Sequence, residues 1–507
     1  MLGLAVRNTN KLIREKSKSE NVRLGRFFTK KDSAALMASM IELDKTKTSF
    51  TVLDPGAGTG ILSAAIIEKI CTTVPSCKNI ILTCYEDDPV FFPLLEDNLE
   101  RIRKKCRHDY GVRLFVTLYN ENYLTDVKNH YTVSLYGAVE DKFDIIICNP
   151  PSHLIDKGSD EAEAVGGVTM LKINAAFLFT KVAAEHLEYG GQLCIMLPTT
   201  IATASSLSAF RSELNSLLSI RSIHLFIGAQ KNAKRAIPLK KELIICYKNT
   251  DERADIAIST STDAGTDKNT QLLPPLPYDF VVDAADGSLV LPKSSGDVKI
   301  VRFISSFPET LHSLGLKMST GLIIDSKYAD LLHSKEDPGT IPVIRSSAMQ
   351  NGGIRFPAQN TSGKQYLMPT VPSLFQRNKN MIIIKRIPAK SDERFLNCAM
   401  YFAGQRPNNQ YISTHNKINF IDTKNMKDEM SARFTFGLFA ILNSTIYDRY
   451  ISILSKSKQI NSKELKFLRL PPRTVIENIG FRLMSLKQTS VAACDSIVNP
   501  TFHIKEK

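Results

Sequence analysis

The apolar run Phe143-Asp144-Ile145-Ile146-Ile147-Cys148 ends in Asn149-Pro150-Pro151-Ser152, and that junction limits the architectures open to this chain. Asp144 through Cys148 is too short for a solitary helix and rich in β-branched residues, so it reads as a core strand of a parallel sheet. Two prolines then fix φ and remove two backbone donors, which forbids further strand pairing. The Asn149 side chain and carbonyl, with the Pro150 carbonyl, are left pointing beyond the strand's carboxyl end. In open α/β sheets ligands bind in that crevice.

A neutral amide there has a chemical use. The lone pair of an aromatic amine is delocalised into its ring, and two acceptors gripping its hydrogens pull the nitrogen toward sp³ geometry. The lone pair then becomes available to an electrophile. A plain turn that ends a strand explains the same four residues equally well when they are taken alone.

Upstream, Thr51-Val52-Leu53 reads as a short buried strand, followed by Asp54-Pro55-Gly56-Ala57-Gly58-Thr59-Gly60 and the helical pattern Ile61, Leu62, Ala65, Ile66. Glycines at 56, 58 and 60 allow close approach of a ligand to the backbone. Such a loop also suits a nicotinamide dinucleotide. Asp54 argues against that, because a carboxylate repels a pyrophosphate and suits a ligand bearing a cationic amino group, as S-adenosylmethionine does.

The next strand, Ile80 to Tyr85, ends in Glu86-Asp87-Asp88-Pro89, and Glu86 stands 28 residues after Gly58. That spacing suits a carboxylate on ribose hydroxyls, with Glu86 the first choice and Asp87 beside it. A solvated acidic turn before the helix suggested by Phe91, Leu94, Leu95 and Leu99 is the bland alternative. A third strand, Leu114 to Tyr119, leads to Asn122-Tyr123, where an amide would read a base edge and a ring would cover its face; a polar loop with one core aromatic fits as well.

In order, Gly25-Arg26-Phe27-Phe28-Thr29, Asp54 to Gly60, Glu86 to Pro89 and Asn149 to Ser152 resemble the motifs of gamma-class N6-adenine DNA methyltransferases of restriction-modification systems. The resemblance continues through Gly190 to Pro198 as the next core strand. It reaches Met381 to Arg386, His415 to Asn419, Leu442-Asn443-Ser444 and Gln459-Ile460-Asn461. Overall length and layout are similar to type II modification enzymes for short palindromic hexamers, although no single residue carries that point.

The resemblance implies an α/β fold: a Rossmann-like S-adenosylmethionine-dependent methyltransferase domain with a mixed α+β target-recognition domain at the C-terminus. It implies S-adenosylmethionine as cofactor, bound by Thr29, Asp54, Gly56, Ala57, Gly58, Gly60, Glu86, Asp87, Asn122 and Tyr123. Asn149 and Pro150, backed by Pro151 and Ser152, would hold the target amine of double-stranded DNA. No metal is required, and functional pairing with a restriction endonuclease and a monomeric state are expected. RNA or glutamine methyltransferases share the tetrapeptide, and a catalytically silent DNA-binding module is a third reading.

Two residues depart from the family pattern. Asn122 stands where the family commonly has an acidic residue. Ser152 stands where an aromatic residue usually stacks on the flipped base, a contact of about 1 to 3 kcal/mol. His153 and Phe226 are the candidate replacement rings, with a cap on a following helix and a core position as their ordinary roles. Lys231-Asn232-Ala233-Lys234-Arg235, where the family often presents an aromatic, suits phosphate contact instead, although a solvated loop explains the same charges.

Composition agrees. A chain of 507 residues suggests two or three domains, and a formal charge of +14 with a pI near 9.2 favours a polyanionic partner. Nine scattered cysteines without a Cys-x-x-Cys pair suit a reducing cytoplasm, and no stretch is long enough to span a bilayer. The expected division is a helical segment 1–45, a catalytic domain 46–248, a Ser/Thr/Asp/Pro-rich linker 249–297 and a recognition domain 298–507. In the last, Lys379, Lys385, Arg386, Lys390 and Arg394, then Lys456, Lys458, Lys463, Lys466, Arg469 and Arg473, are candidate phosphate contacts. Gln376, Arg377, Asn408, Asn409 and Gln410 are polar side chains suited to base edges, though a surface loop would look the same. Glu464-Leu465-Lys466 resembles a fragment of a nuclease motif, with no strand-borne aspartate to pair with it.

Overall fold

The computed structural model describes residues 1–15, 29–126, 142–164, 172–228, 239–262, 270–359, 363–387, 394–406, 408–454, 460 and 468–503. They form two compact units, one covering Met1–Ala229 and Ile237–Lys293 and the other including Ser294–Lys507. Gly25 to Phe28, Lys231 to Arg235, Lys390, Lys456, Lys458, Gln459, Asn461, Lys463 and Glu464 to Lys466 lie outside the described residues.

The first unit is built on strands β1 (Ser49–Asp54), β2 (Asn79–Tyr85), β3 (Arg113–Tyr119), β4 (Phe143–Cys148), a small hairpin β5 (Leu154–Asp156) and β6 (Lys172–Asn174), then β7 (Leu187–Pro198), β8 (Ser219–Ile227), β9 (Leu239–Lys248), β10 (Ala257–Ser261) and β11 (Gln271–Leu272). Nine of these form one sheet in the order β11-β10-β8-β9-β7-β4-β1-β2-β3. β3, β2, β1, β4 and β7 run parallel, whereas β9 lies antiparallel between β7 and β8. The parallel part is Rossmann-like, with strand order reversing between β1 and β4, the switch point at which ligands bind in such sheets.

Alternation along the strands sorts the core. Val52, Ile145, Ile147 and Cys194 pack with α1 (Leu2–Glu15), α2 (Lys31–Met40), α3 (Ile61–Thr73) and α4 (Phe92–Tyr110), while Leu53, Ile146 and Leu193, one residue out of phase, are buried away from that cluster. Met1, Leu2 and Ala5 belong to the cluster, so the first residues are integral to the sheet's helical layer and do not form a separate segment.

The stretch expected to be a linker is also part of this unit up to Lys293. Its Ser/Thr residues are strand residues: β10 pairs with β8 from Ala257↔Ser222 to Ser261↔Phe226. They serve a buried imidazole, because His224 Nδ1 and Nε2 lie 2.8 and 2.9 Å from the hydroxyls of Ser259 and Ser261. Composition suggested a linker or a loose polar connection carrying short strands; the strand is present, and what composition cannot reveal is that a buried histidine needs two of its hydroxyls. Burial pushes the His224 pKa down to about 4, so the ring is neutral between its serines.

In the second unit, strands β12 (Leu316–Thr320), β13 (Ile341–Ile344), β14 (Met381–Lys385), β15 (Cys398–Tyr401), β16 (Tyr411–Thr414) and β17 (Ile418–Thr423) belong to two small sheets, with β17 central between β12 and β14. Helices Ala432–Asn443 and Arg473–Leu486 cross at two glycines. A Cβ on Gly437 would fall on the Ile476 carbonyl, and one on Gly480 on the Arg433 carbonyl. Among the described residues no helix is long and apolar enough to cross a membrane. Gly437→Ala or Gly480→Ala should therefore destabilise this unit by about 1–3 kcal/mol or more through overpacking. Denaturant titration checks this; an unchanged midpoint would mean that the helices do not pack at this separation.

Candidate functional site

Parallel pairing places the carboxyl ends of β1, β2 and β4 along one edge, and there the first unit holds a cavity of about 950 Å³. Thr29, Gly56, Gly58, Glu86, Asp87, Asn122, Tyr123, Asn149, Pro150, Pro151 and Ser152 line it, so residues from five separate sequence stretches converge.

Asp54, Ala57 and Gly60, expected at the ligand, are not among the residues that line it. Asp54 is fully buried, and its Oδ2 accepts from the Ser63 amide (3.1 Å) and hydroxyl (2.6 Å) at the start of α3. Its carboxylate braces the loop from behind, as helix N-termini favour acceptors. The Ala57 amide donates to the Tyr85 carbonyl at 2.9 Å, tying the loop to β2. Gly60 takes φ +81° where a Cβ would press on Leu95. These three shape the loop; Gly56 and Gly58 present it.

Glu86 links two turns. Its Oε2 accepts from the Gly58 amide at 2.7 Å and its Oε1 from the Asp88 amide at 2.9 Å. Burial raises its pKa, partly offset by these two amides. Asn122 has its Nδ2 on Asp87 (3.0 Å) and its Oδ1 on the Leu124 amide (3.0 Å), so its amide is already engaged with a neighbouring carboxylate and a turn. Tyr123 is almost wholly buried, with its hydroxyl 2.8 Å from His186 Nδ1 and its ring tilted against Phe179 at 5.6 Å.

Asn149 is half-buried, and its Nδ2 donates to Thr29 Oγ1 at 3.0 Å. This fixes the amide and leaves Oδ1 as acceptor for a donor in the cavity. The wall beyond it is pinned by Asn174, which donates to the Ser152 carbonyl (3.2 Å) and caps the helix Ala175–Glu185 through the Ala176 amide (3.0 Å). Ala175 N donates to the His153 carbonyl at 2.9 Å. His153 precedes strand β5 and caps no following helix. Its exposed side chain lines the cavity, as does Phe226, which also belongs to the core and meets His224 edge-on at 4.8 Å.

Sequence reasoning missed Phe91, Phe179, Met196 to Pro198, Lys241 and Glu242 as lining residues. Phe91 was legible only as a helix-face residue. Phe179 carries no motif, and Lys241 and Glu242 arrive because β9 doubles back antiparallel between β7 and β8. Carboxylates dominate the ionisable lining, with Glu86, Asp87, Asp88, Glu121 and Glu242 against Lys30 and Lys241. That set of acceptors suits a ligand with an amino group and vicinal hydroxyls better than a pyrophosphate.

Burial raises the Asp54 pKa to about 7, against lowering by Ser63. A folded value above the unfolded one near 3.8 means that its contribution is fully present below that value and lost as pH rises through about 7. Asp54→Asn removes the titration, so unfolding free energies of variant and parent should diverge in the variant's favour between about pH 4 and pH 8. Urea titrations across that range test this; parallel pH profiles would contradict the burial of a titrating carboxyl.

Residues 79–232 match the family described as Eco57I restriction-modification methylase. The chain is 24% identical over 493 residues to the type II methyltransferase M.PstI of Providencia stuartii, spanning 95% of this chain and 93% of that protein. It is 22% identical over 477 residues to the type II methyltransferase M.BsuBI of Bacillus subtilis, spanning 92% and 90%. A solved structure of the type IIL restriction-modification enzyme MmeI with DNA aligns to all of this chain and 74% of its own, at 10% identity and a TM-score of 0.45. The resemblance carried by the motifs thus extends over nearly the whole chain, which is similar to the methyltransferases of type II restriction-modification systems.

Proposed function

We propose that this protein methylates the N6 amine of adenine within a specific sequence of double-stranded DNA, using S-adenosylmethionine, and so shields that sequence from a partner endonuclease. The observation that carries the reading is Asn149, fixed by Thr29 at the end of β4, in one cavity with the glycine loop of β1 and the carboxylates after β2. The similarity to M.PstI and M.BsuBI over nearly the full length supports the same class of reaction.

Gly56 and Gly58 would let the backbone approach the cofactor, while Glu86 and Asp87 would accept from its hydroxyls and the acidic lining would favour its amino group. When bound, S-adenosylmethionine supplies an electrophilic methyl group. Because an adenine amine is out of reach inside a duplex, the base must leave the stack. Asn149 Oδ1 and the Pro150 carbonyl then accept from the amine and aim its lone pair, so the protein's contribution is orientation and fixed acceptors. Ser152 offers no ring, and His153 and Phe226 supply aromatic surface in the same cavity. Among residues 294–507, Lys and Arg number 30 against 16 Asp and Glu, while residues 1–293 balance at 35 against 35. The whole excess of +14 therefore belongs to the C-terminal part, as expected of a DNA-holding unit.

Transfer of label from S-adenosylmethionine to duplex DNA, compared with RNA and protein acceptors, tests the reading. Asn149→Ala is expected to lower the rate by about 10²-fold or more with cofactor affinity retained, and Thr29→Val by about tenfold, since it frees the amide to rotate. Unchanged transfer by Asn149→Ala would remove the assignment. If rings at 153 and 226 already support the base, Ser152→Phe should change the rate by less than about threefold. A gain of about tenfold or more, within the reach of one stacking contact, would mean that nothing compensates for the serine.

A further inference from the structure

We propose that Asp325 reads the amino group of a cytosine in the recognised DNA sequence, an inference that rests on the DNA-methyltransferase reading above. The second unit spends two buried cationic or ionisable side chains on fixing this one carboxylate. Arg345 donates to it bidentately, Nη2 to Oδ1 at 2.7 Å and Nη1 to Oδ2 at 3.0 Å, and His415 Nε2 lies 3.1 Å from Oδ2. The exposures are opposite in kind. The Asp325 side chain is 53% exposed, whereas those of Arg345 and His415 are 8% and 5% exposed. Arg345 Nε is also used, on the Lys364 carbonyl at 2.8 Å, so the guanidinium cannot swing away.

Anchoring the loop does not require this arrangement. Leu322 and Ile323 donate their amides to the Thr414 carbonyl at 2.7 and 2.9 Å, and the Asn416 amide donates to the Ile323 carbonyl at 2.9 Å. A Cβ on Gly321 would fall on the His415 carbonyl, so the chain lies against β16 by its backbone alone. A counter-ion for Arg345 would serve as well if it were buried. This one instead faces solvent, rigid, with acceptor capacity left over, since a carboxylate offers about four lone-pair sites. Arg345 and His415 hold its pKa below the usual carboxylate range, so it stays an acceptor throughout the working pH.

Among residues 294–507, which carry the chain's whole positive excess, a fixed exposed carboxylate repels phosphate and needs a donor. In the major groove the exocyclic amines of cytosine and adenine are the base-edge donors. Adenine's amine stands between two acceptors, its own N7 and the O4 of the paired thymine, which repel a carboxylate; cytosine's has one, the guanine O6 across the pair, and its C5–H edge leaves the other side open. The chemistry therefore selects cytosine N4.

The test begins with the sequence methylated by the parent protein. Duplexes in which each cytosine of that sequence is replaced in turn by pyrimidin-2-one, which lacks only the amino group, are then assayed with the parent and with Asp325→Asn. The near-isosteric amide keeps an acceptor for Arg345. At one position the analogue should slow the parent by roughly tenfold, the scale of a base-edge contact. Asp325→Asn should be slowed to a similar rate on the natural duplex and no further by the analogue there, with every other position unaffected. If the variant loses activity on all duplexes alike and keeps the parent's preferences, Asp325 only neutralises Arg345 and the inference fails. A recognised sequence whose cytosine amines make no difference to the parent also overturns it. A parent protein that methylates no DNA overturns the functional reading first, and this one with it. Should Asp325→Asn prove misfolded by circular dichroism, Asp325→Glu serves, expected to fold and to lose discrimination at the same single position through its longer reach.

Discussion

Parallel registration of β1 against both β2 and β4 is the constraint on which the rest of this protein depends. Asp54 pairs with Cys84 and Leu53 with Ile146, so the glycine loop, the acidic turn and Asn149 leave the sheet along the same edge. A slip of one residue would turn Val52 and Leu53 to the wrong faces and carry Asp54 away from Ser63. Hydrophobic burial on both faces thus sets the positions of polar side chains far apart in sequence. The loop is then held from behind by a buried carboxyl and from the front by Glu86, and it meets a ligand with its backbone geometry already fixed.

The strands β1 to β4 and β7 were legible because each is a short β-branched run bounded by glycine, proline or acidic turns. Asn149, Glu86 and the glycines at 56 and 58 were legible because their chemistry sits at strand ends. What escaped has a common cause. Phe179, Lys241 and Glu242 reach the cavity through long-range packing, which leaves no local pattern. Asp54 looked like a ligand-facing group because sequence spacing does not tell which way a strand-end side chain turns. The Ser/Thr-rich stretch after Asn249 read as a linker or a loose connection carrying short strands, yet two of its serines complete the hydrogen bonding of His224.

Charge was read correctly in total and only partly in detail. Several expected phosphate contacts are already engaged within the second unit. Lys379 is buried, donating to the Thr423 hydroxyl at 2.7 Å and to the carbonyls of Thr423 and Asn425, with Asp422 at 3.5 Å. Arg394 donates to the carbonyls of Asn443 and Ser444. Arg473 pairs with Glu477 at 3.0 Å and lies over the Phe434 ring. Affinity for DNA is therefore expected to come from the cations these contacts leave over, since a cation already paired in the fold releases fewer counterions on binding.

The most direct test of the central claim is single-molecule sequencing of DNA from cells producing either the parent protein or Asn149→Ala. The expected result is N6-methyladenine at essentially every copy of one short sequence with the parent and none above background with the variant. Unmodified DNA in both, or the same modification in both, would contradict the assignment of Asn149 and its cavity to adenine methylation.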